Sequence, residues 1–446
     1  MLSRDDNELL SRVGPDTPMG TLFREFWVPG GLSSELPVPD GAPLRLRLLG
    51  ENLIAYRTTS GKVGLMQESC PHRGASMFFG RNEEEGLRCV YHGWKFDVEG
   101  NCVDMPNEPA ESNFKHKIKA TSYLTHERNG ILWVYMGPRQ ATPPALPDLE
   151  PNMLPEGRYV IQAYQRECNW MQALEGDIDT CHTGFLHLGS LTLDDAPANT
   201  WAKYALGDRA PRYEVVETDF GTMYGTYRPA EEDTLYWRFA AFLFPFYAMT
   251  PTGVLGLEVR VRAWVPIDDS HTLALSINQV TPRRTAQVAG QIMAGKQRIA
   301  AIETLPNGTG WHDRFRCVAN AANDFQIDRE EQSKGVSYTG INAIFLQDQA
   351  VTESMGHIYN RTNERLGTSD MMIIRTRKRL IDAAKALRDK GALPEAVDNP
   401  KVYGVRTGAV VLPKEADWME ATAHLRAAFT DHPELSRDIL GGIPAV

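Results

Sequence analysis

Short apolar runs separated by turn residues dominate the first third of the chain. Residues 43–70 read "PLRLRLLGENLIAYRTTSGKVGLMQESC", in which "GEN" and "SGK" interrupt the apolar runs. Apolar runs bounded by Gly, Asn and Ser are typical of strands joined in hairpins. A further run, "GILWVYMG" at 130–137, is followed directly by proline. The pattern predicts a small domain made mostly of β-strands.

A proline-rich stretch separates this part from the rest of the chain. Residues 138–157 contain six prolines in 20 positions. Proline lacks the backbone N–H that a regular helix or a central strand needs, so we interpret this stretch as an interdomain connection. We expect a first domain in residues 1–150, with its core at about 27–138, and a second domain in residues 151–446.

The second part of the chain mixes helix and strand patterns. The stretch "CNWMQALEGDIDTCHTGFLH" is helical at its start, and residues 373–391 form an amphipathic pattern stopped by Gly391. Residues 222–250 and 256–280 alternate as successive antiparallel strands do. The predicted fold class is therefore α+β, with a small all-β domain and a larger domain whose antiparallel sheet is covered by helices.

Composition and charge exclude several classes of function. The chain has 446 residues, of which 42% are hydrophobic and 23% charged, as in ordinary globular proteins. Its net charge is −10 and no block is rich in Lys and Arg, so nucleic acid is not an expected partner. No apolar run reaches the ~18 residues of a membrane span, and the charged start lacks the apolar core of a signal peptide. We expect a cytoplasmic protein that binds no membrane.

Two cysteine–histidine pairs form the first candidate metal site. Cys70-x-His72 lies 16 residues before Cys89-x-x-His92, and each pair sits beside turn residues. Two such loops facing each other supply two thiolates and two imidazoles, which is the ligand set of a Rieske [2Fe–2S] cluster. A zinc site is the competing interpretation, but zinc sites usually group Cys with Cys and His with His. Cys102 lies outside this pattern, and we expect it to be buried as a small apolar residue.

The stretch "DIDTCHTGFLH" is the second candidate metal site. At about 100° per residue on an ideal helix, Asp179 and His182 share a face, whereas His182 and His187 lie about 140° apart. Both histidines can meet at one metal only if the helix bends, tightens or ends between them, and Gly184 permits this. We expect the break at residues 183–184. Two structural histidines paired by chance are the alternative.

The first site favours a metal role for the second, because a Rieske cluster supplies electrons and these electrons need an acceptor. Two His and one carboxylate with open positions form the facial triad of non-haem Fe(II) oxygenases. With Cys-x-His, Cys-x-x-His, Asn-Trp and Asp-x-x-His-x₄-His in this order, the chain resembles the large (α) subunits of the Rieske non-haem iron oxygenases. The stretches 169–187 and 345–370 resemble the phthalate dioxygenase-like branch most.

This resemblance implies roles for individual residues. His182 and His187 become ligands of the mononuclear iron, and Asp348 in "FLQDQAVTES" matches the third ligand best, with Glu353 as second choice. Asp179 becomes the carboxylate that links His182 to a cluster histidine, His92, of a neighbouring subunit. The two cysteine–histidine pairs, Cys70 with His72 and Cys89 with His92, become the cluster ligands. Asn169 matches a polar residue near the iron.

The resemblance also implies the reaction and the partners. The chain is expected to be the terminal oxygenase component of a ring-hydroxylating dioxygenase that uses O₂ and electrons from NAD(P)H. A separate flavin/iron–sulfur reductase passes these electrons on, since no dinucleotide fingerprint follows a strand here. The family forms ring-shaped homotrimers, sometimes stacked as hexamers. A Rieske monooxygenase that demethylates or hydroxylates, and an electron carrier without oxygenase activity, are the alternatives.

The expected substrate is a substituted aromatic compound, and the phthalate-like branch favours an aromatic carboxylate. An arginine can bind a carboxylate through two parallel hydrogen bonds. Arg209, Arg212 and Arg238 lie in the region where such a residue is expected, although an ordinary surface or structural arginine is the favoured interpretation of each. Residues 242–250 and 340–347 either line an apolar pocket or pack in the core. Cys181, directly before His182, is expected to shape the pocket.

Overall fold

The structure is a computed structural model. It describes residues 1–109, 111–189, 204, 207–251, 253–280 and 302–432.

Three small antiparallel sheets form the N-terminal domain. Their strands are β1 (Trp27–Leu32), β2 (Leu44–Leu48), β3 (Glu51–Arg57), β4 (Val63–Gln67), β5 (Arg81–Glu83), β6 (Gly86–Arg88), β7 (Lys95–Phe96), β8 (Cys102–Asp104), β9 (Leu124–Arg128) and β10 (Ile131–Tyr135). The sheets have the orders β1-β10-β9, β2-β3-β4 and β5-β6-β7-β8. The apolar runs of residues 43–70 are β2, β3 and β4, and the run at 130–137 is β10, as predicted.

A single large antiparallel sheet is the centre of the second domain. Its strands are β11 (Tyr159–Arg166), β12 (Arg212–Thr218), β13 (Gly221–Pro229), β14 (Thr234–Leu243), β15 (Tyr247–Met249), β16 (Arg260–Pro266), β17 (Thr272–Gln279) and β18 (Gly408–Pro413). The order is β11-β17-β16-β15-β14-β13-β12, and β18 pairs with β14. Residues 222–250 and 256–280 therefore form antiparallel strands as predicted.

Helices from three parts of the chain surround this sheet. They are α1 (Arg4–Ser11), α2 (Pro18–Arg24), α3 (Trp170–Ile178), α4 (Arg329–Ser333), α5 (Ile344–Ser354), α6 (Met371–Lys390), α7 (Glu395–Asp398), α8 (Trp418–Ala421) and α9 (Ala423–Arg426). The amphipathic helix α6 contacts β13 and buries Leu380 and Ile381, and Gly391 ends it in the left-handed conformation at φ 64°. The α+β class is confirmed, and no described helix is long and apolar enough to span a bilayer.

The connection between the domains is irregular, as its prolines predict. Residues 138–157 contain no α-helix and no strand, only a short 3₁₀ turn at Glu150–Asn152. Glu150 is buried and pairs with Arg406, so the connection is fixed to the second domain by a paired charge. The division at residue 150 stays a prediction.

The turn between β2 and β3 holds the two domains together. Leu49 N donates to Pro266 O at 3.0 Å, and Gly50 N donates to Ile267 O at 2.9 Å. Beside these bonds, Arg47 Nε donates to Asp268 Oδ2 at 2.9 Å. One continuous hydrophobic core includes residues of both domains, among them Trp133 and Trp264. The two domains are therefore packed as one body at this edge, which fixes the orientation of the cysteine–histidine loops relative to the sheet.

Candidate metal centres

Helix α3 leads directly to the second candidate site. Asn169 caps its N-terminus by accepting a hydrogen bond from Met171 N at 3.2 Å. The helix buries Trp170 and Leu174 and ends at Ile178. The expected break at residues 183–184 is wrong, because the α-helix has already ended before His182. His182 begins a separate 3₁₀ turn that closes at Gly184.

Asp179 ends the helix and orients the first histidine. Its Oδ1 accepts from Cys181 N at 2.7 Å and its Oδ2 accepts from His182 N at 3.3 Å, which turns the chain out of the helix. The same Oδ2 lies 3.1 Å from His182 Nδ1. Burial alone would raise the pKa of Asp179, but His182 and these amides lower it below its usual value. Asp179 is therefore an anion bonded to the imidazole nitrogen that faces away from Asp348.

His187 enters the site from the segment beyond the 3₁₀ turn. Its ring centroid lies 5.0 Å from that of His182, with the two planes nearly perpendicular. His187 is buried, and its Nδ1 lies 2.7 Å from Oε1 of Gln347 on α5. Gln347 was not anticipated from the sequence, although it stands next to Asp348 on the same helix.

Asp348 brings the carboxylate from α5 to the two imidazoles. Its Oδ1 lies 3.5 Å from His182 Nε2 and 3.3 Å from His187 Nε2. The three ligand atoms lie within 4.8 Å of one another. Glu353 is not part of this cluster, because its Oε1 accepts from Glu167 N and from Gln349 Nε2. The structure thus brings together the two histidines and the first-choice carboxylate.

Electrostatics favour an ionised Asp348. Burial would raise its pKa, but His187, His182 and Arg166 together lower it below its usual value. Arg166 is a fully buried cation that sequence patterns did not reveal. Its guanidinium lies over the rings of Trp264 and Phe345, at 4.5 and 4.7 Å from the centroids, and donates to Thr352 Oγ1 at 3.2 Å.

The donor set of this cluster fits a mononuclear iron. Both Nδ1 atoms are bonded to other groups, so both Nε2 atoms face the carboxylate oxygen of Asp348. Two His and one carboxylate on one side of a metal leave other positions open for small molecules. The outer bonds from Asp179 and Gln347 are those that usually orient imidazole ligands.

The cysteine–histidine loops are two similar turns. Gly74 N donates to Cys70 O at 2.9 Å, and Gly93 N donates to Cys89 O at 3.0 Å. Both glycines have positive φ values, 74° and 78°, which residues with a side chain rarely adopt. The turns bring the His72 and His92 rings to 4.4 Å between centroids.

These loops fit an iron–sulfur cluster. Cys70 and Cys89 are buried and unpaired by disulfides, and burial raises the pKa of Cys70 to about 11. A buried thiol of this kind becomes a thiolate when a metal binds it. His92 Nδ1 is buried and has no hydrogen-bond partner among the described residues. The His72 ring also stacks on Trp94, at 4.3 Å between centroids. Two buried thiols and two adjacent imidazoles are the Rieske donor set.

Asn169 does not belong to the iron cluster, contrary to the expectation. It lies at the far end of α3 from Asp179, and its side chain is fully buried. Its Nδ2 donates to Ser11 O at 2.9 Å and to Asp269 O at 2.7 Å, while its Oδ1 caps the helix. Through these hydrogen bonds, the Asn169 side chain holds the start of α3 against the N-terminal segment and the Asp269 carbonyl.

The three candidate arginines occupy different positions. Arg238 Nη1 donates to Thr180 Oγ1 at 3.1 Å, two residues before His182. Arg209 is exposed and packs on the ring of Phe185 at 5.3 Å, and Arg212 is exposed at the start of β12.

The apolar segments named as pocket linings pack mainly in cores. Most of 242–250 belongs to the main hydrophobic core, and the buried residues of 340–347 pack in a smaller cluster around Cys317. Cys181 is half-buried and lies 3.1 Å from Tyr213 Oη. Cys102 is buried, as expected.

Comparisons with known proteins agree with this architecture. Residues 26–121 match the family model of the Rieske [2Fe-2S] domain, and residues 134–438 match the "LigXa C-terminal domain like" model. The chain is 45% identical to the 3-chlorobenzoate-3,4-dioxygenase oxygenase subunit of Comamonas testosteroni, over 93% of this chain and 96% of that protein. It is 35% identical to the phthalate 4,5-dioxygenase oxygenase subunit of Pseudomonas putida, over 97% of each. The crystal structure of dicamba monooxygenase bound to dicamba has the same fold, with a TM-score of 0.56, 18% identity and coverage of 82% of this chain and 99% of that one.

Fold and donor sets together define an oxidoreductase in which a [2Fe–2S] domain is joined to a mononuclear iron domain. The chain belongs to the Rieske non-haem iron oxygenases, in the phthalate dioxygenase-like branch of their oxygenase (α) subunits, which confirms the resemblance. Its cofactors are accordingly the Rieske [2Fe–2S] cluster and mononuclear iron. As an oxygenase component, it takes electrons from a separate redox protein.

Proposed function

We propose that this chain is the terminal oxygenase component of a ring-hydroxylating dioxygenase that acts on a substituted aromatic carboxylate. The observation that carries the proposal is the convergence of His182, His187 and Asp348 on one point in a chain that also holds a Rieske domain. The relatives named above act on 3-chlorobenzoate and on phthalate, both aromatic carboxylates. The electrons come from NAD(P)H through a separate flavin/iron–sulfur reductase.

Four side chains hold the cluster in this proposal. Cys70 and Cys89 would hold one iron of the cluster as thiolates, and His72 and His92 would hold the other as neutral imidazoles. Neutral ligands in place of two thiolates reduce the negative charge of the cluster, which raises its potential and suits it to pass electrons onward. The pairing of two similar loops supports these assignments.

His182, His187 and Asp348 hold the mononuclear iron. Iron in such a site supplies the activation of O₂ beside the bound substrate. The chain's own residues fix the imidazoles through their Nδ1 atoms and keep the Asp348 carboxylate ionised. His187 is buried, the Asp348 side chain is 18% exposed, and the rings of Trp264 and Phe345 cover the Arg166 guanidinium.

Asp179 connects the iron centre to the cluster of a neighbouring subunit. It is already bonded to His182 Nδ1, and its side chain is 23% exposed, so another chain can reach it. The cluster loop carries exposed Val90 and Tyr91 next to His92. An exposed apolar tip of this kind is suited to a protein contact. We propose a ring-shaped homotrimer, alone or stacked as a hexamer, in which His92 of one subunit contacts Asp179 of the next.

Arg238 is the proposed partner of the substrate carboxylate. It is half-buried and bonded to Thr180, which precedes the iron-binding turn, whereas Arg212 is exposed. Its neighbour Arg228 is a buried cation whose Nη1 has no hydrogen-bond partner among the described residues. Burial lowers the pKa of Arg228 most, and the neighbouring guanidinium of Arg238 lowers it further. A bound anion would relieve this repulsion.

Substrate-dependent O₂ uptake tests the proposal. The purified protein, loaded with both cofactors and supplied with a surrogate reductase and NADH, is given benzoate, 3-chlorobenzoate and phthalate, each beside its methyl ester. We expect uptake with a free carboxylate, and a cis-dihydrodiol that carries two oxygens from ¹⁸O₂. A methoxybenzoate is added to the same set, and formaldehyde release from it with one labelled oxygen would instead establish a demethylating monooxygenase. Two irons per chain and no uptake would establish an electron carrier.

A further inference from the structure

Gln347 occupies a position in the iron centre that the proposed ligand set does not include. It is fully buried on α5, directly before Asp348. Its Oε1 lies 2.7 Å from His187 Nδ1, and its Nε2 donates to Ile341 O at 2.8 Å. One helix therefore carries both a carboxylate ligand and the partner of a histidine ligand.

The bond to Ile341 decides how the Gln347 amide is oriented. A main-chain carbonyl can only accept, so the amide nitrogen must face Ile341 O and the amide oxygen must face His187. An oxygen can only accept from His187 Nδ1, which must then carry the hydrogen. The lone pair of His187 Nε2 is left facing Asp348 Oδ1, 3.3 Å away. Two acceptors at that distance repel each other unless a cation or a proton lies between them.

The two histidine ligands are oriented by chemically different partners. His182 has the carboxylate of Asp179, and His187 has the neutral amide of Gln347. Hydrogen bonds to an ionised acceptor are roughly twice as strong as neutral ones. The hydrogen bond that orients His187 is therefore weaker than the one that orients His182. The orientation of His187 thus depends on how firmly the Gln347 amide is itself held.

A strained turn holds that amide in place. Ala343, the residue before α5, has φ 69° and ψ 125°, a conformation that alanine rarely adopts. Gln347 N donates to Ala343 O at 3.1 Å, and the Gln347 side chain bonds Ile341 O across the same turn. Strain of this kind persists only where the surrounding structure fixes it, and it is common at functional sites.

We propose that Gln347 is a positioning residue of the iron centre: its amide oxygen fixes the His187 ring with Nε2 toward the metal and thereby sets iron affinity. The inference rests on the proposed iron site but not on the identity of the substrate. Loss of the partner of a metal-bound histidine typically weakens metal binding by about 10–100-fold.

Metal affinity in two matched variants tests the inference. Gln347→Met keeps the volume but removes the acceptor, and Gln347→Glu keeps an acceptor; both remove the donor to Ile341. Fe(II) affinity is measured by chelator competition in the full-length protein, with the cluster absorbance as internal standard, and the visible spectrum of the Co(II)-substituted site is recorded. We expect about 10–100-fold weaker binding in the Met variant, near-normal binding in the Glu variant, and an altered Co(II) spectrum in both.

Gln349→Met is the control, because Gln349 is equally buried on the same helix but bonds Glu353 and the Gln165 carbonyl. Its iron affinity should equal that of the parent protein. Equal losses in the Met and Glu variants would overturn the inference, because the loss would then come from the Ile341 bond. Normal affinity in the Met variant would overturn it too. If the parent protein bound no iron, or Asp348→Asn left its affinity unchanged, the proposed site itself would be wrong.

Discussion

Asp348 Oδ1 lies 3.3 Å from His187 Nε2, although six strands of the catalytic sheet separate the two residues along the chain. Strands β12 to β17 all form between them. The sheet and the packing of α5 against α3 create this contact, and neither residue reaches the other through local structure. The candidate iron site thus exists only when the second domain is folded.

Removal of the Asp348 carboxylate should therefore release the mononuclear iron and leave the cluster intact. Asp348→Asn keeps the size of the side chain but removes its charge, and we expect iron affinity to fall by more than ~100-fold, beyond the typical effect of losing an outer partner. Iron analysis and the visible absorption of the cluster measure the two centres separately. Glu353→Gln is the control and should retain the iron. The assignment fails if Glu353→Gln loses the iron and Asp348→Asn keeps it.

Local patterns predicted the parts of the site that lie close together in sequence. Cys70, His72, Cys89 and His92 lie on two short loops, so their spacing alone indicated the donor set. The carboxylate of Asp348 came only from the family resemblance, because spacing carries no information about a contact between helices so far apart. Gln347 was missed for the same reason.

Two local expectations were wrong because side-chain bonds decided the backbone. The helix break was expected at Thr183 and Gly184, from the freedom of glycine, but Asp179 ends the helix by accepting hydrogen bonds from two main-chain amides. Asn169 was expected near the iron. Instead, its side-chain oxygen caps helix α3 and its side-chain nitrogen donates to two main-chain carbonyls. Asp and Asn compete with the helix through such bonds, and a sequence does not show which bond forms.

Arg238 should determine affinity for the substrate carboxylate. Arg238→Met removes the charge but keeps much of the side-chain length, so KM for an aromatic carboxylate should rise by about 10–100-fold, as expected for a lost hydrogen bond to a charged group. The kcat value should change much less, since the iron ligands are untouched. Arg212→Met, at an exposed position, should leave both constants unchanged. A uniform fall in kcat with unchanged KM would contradict this role.

Asp268 should make the domain contact sensitive to acid. It bonds Arg47, His271 and His312, at 2.9 to 3.0 Å. Burial opposes ionisation, but these histidines and nearby amides hold the pKa of Asp268 far below its usual value. A lowered pKa means that the stabilisation is complete above the usual value of about 4 and is lost only as the pH falls toward the lower folded value.

Asp268→Asn should therefore reduce the free energy of unfolding by about 2–3 kcal/mol at pH 7. This is less than the loss of a fully buried pair would cost, because Arg47 and His312 are partly exposed. The difference from the parent protein should shrink as the pH is lowered below about 4. Urea unfolding at several pH values measures it. Asp382→Asn is the control, because Asp382 pairs with Lys378 at an exposed position, so its loss should change the free energy of unfolding far less than Asp268→Asn does. A difference that grows in acid would contradict this assignment.

Electron transfer between subunits can be tested by mixing two inactive variants. Asp179→Ala should bind its mononuclear iron more weakly, because His182 loses its partner, but should retain it in excess Fe(II), because His182, His187 and Asp348 remain. It should lose the link to the cluster. Cys89→Ser should lose the cluster and keep the iron. Each variant alone should form inactive assemblies. In a mixed assembly, the cluster of an Asp179→Ala subunit can reach the intact Asp179 of a Cys89→Ser neighbour.

We expect co-expressed and co-purified mixtures to regain a substantial part of the parent O₂ uptake, because some interfaces then combine an intact cluster with an intact Asp179. Transfer within one chain predicts no recovery, since no chain in the mixture has both. The matched control pairs Asp179→Ala with Asp348→Asn, in which the Asp348→Asn subunit has an intact Asp179 but no iron, so activity should stay absent. Recovery only in the first mixture would require that the cluster of one subunit serves the iron of another.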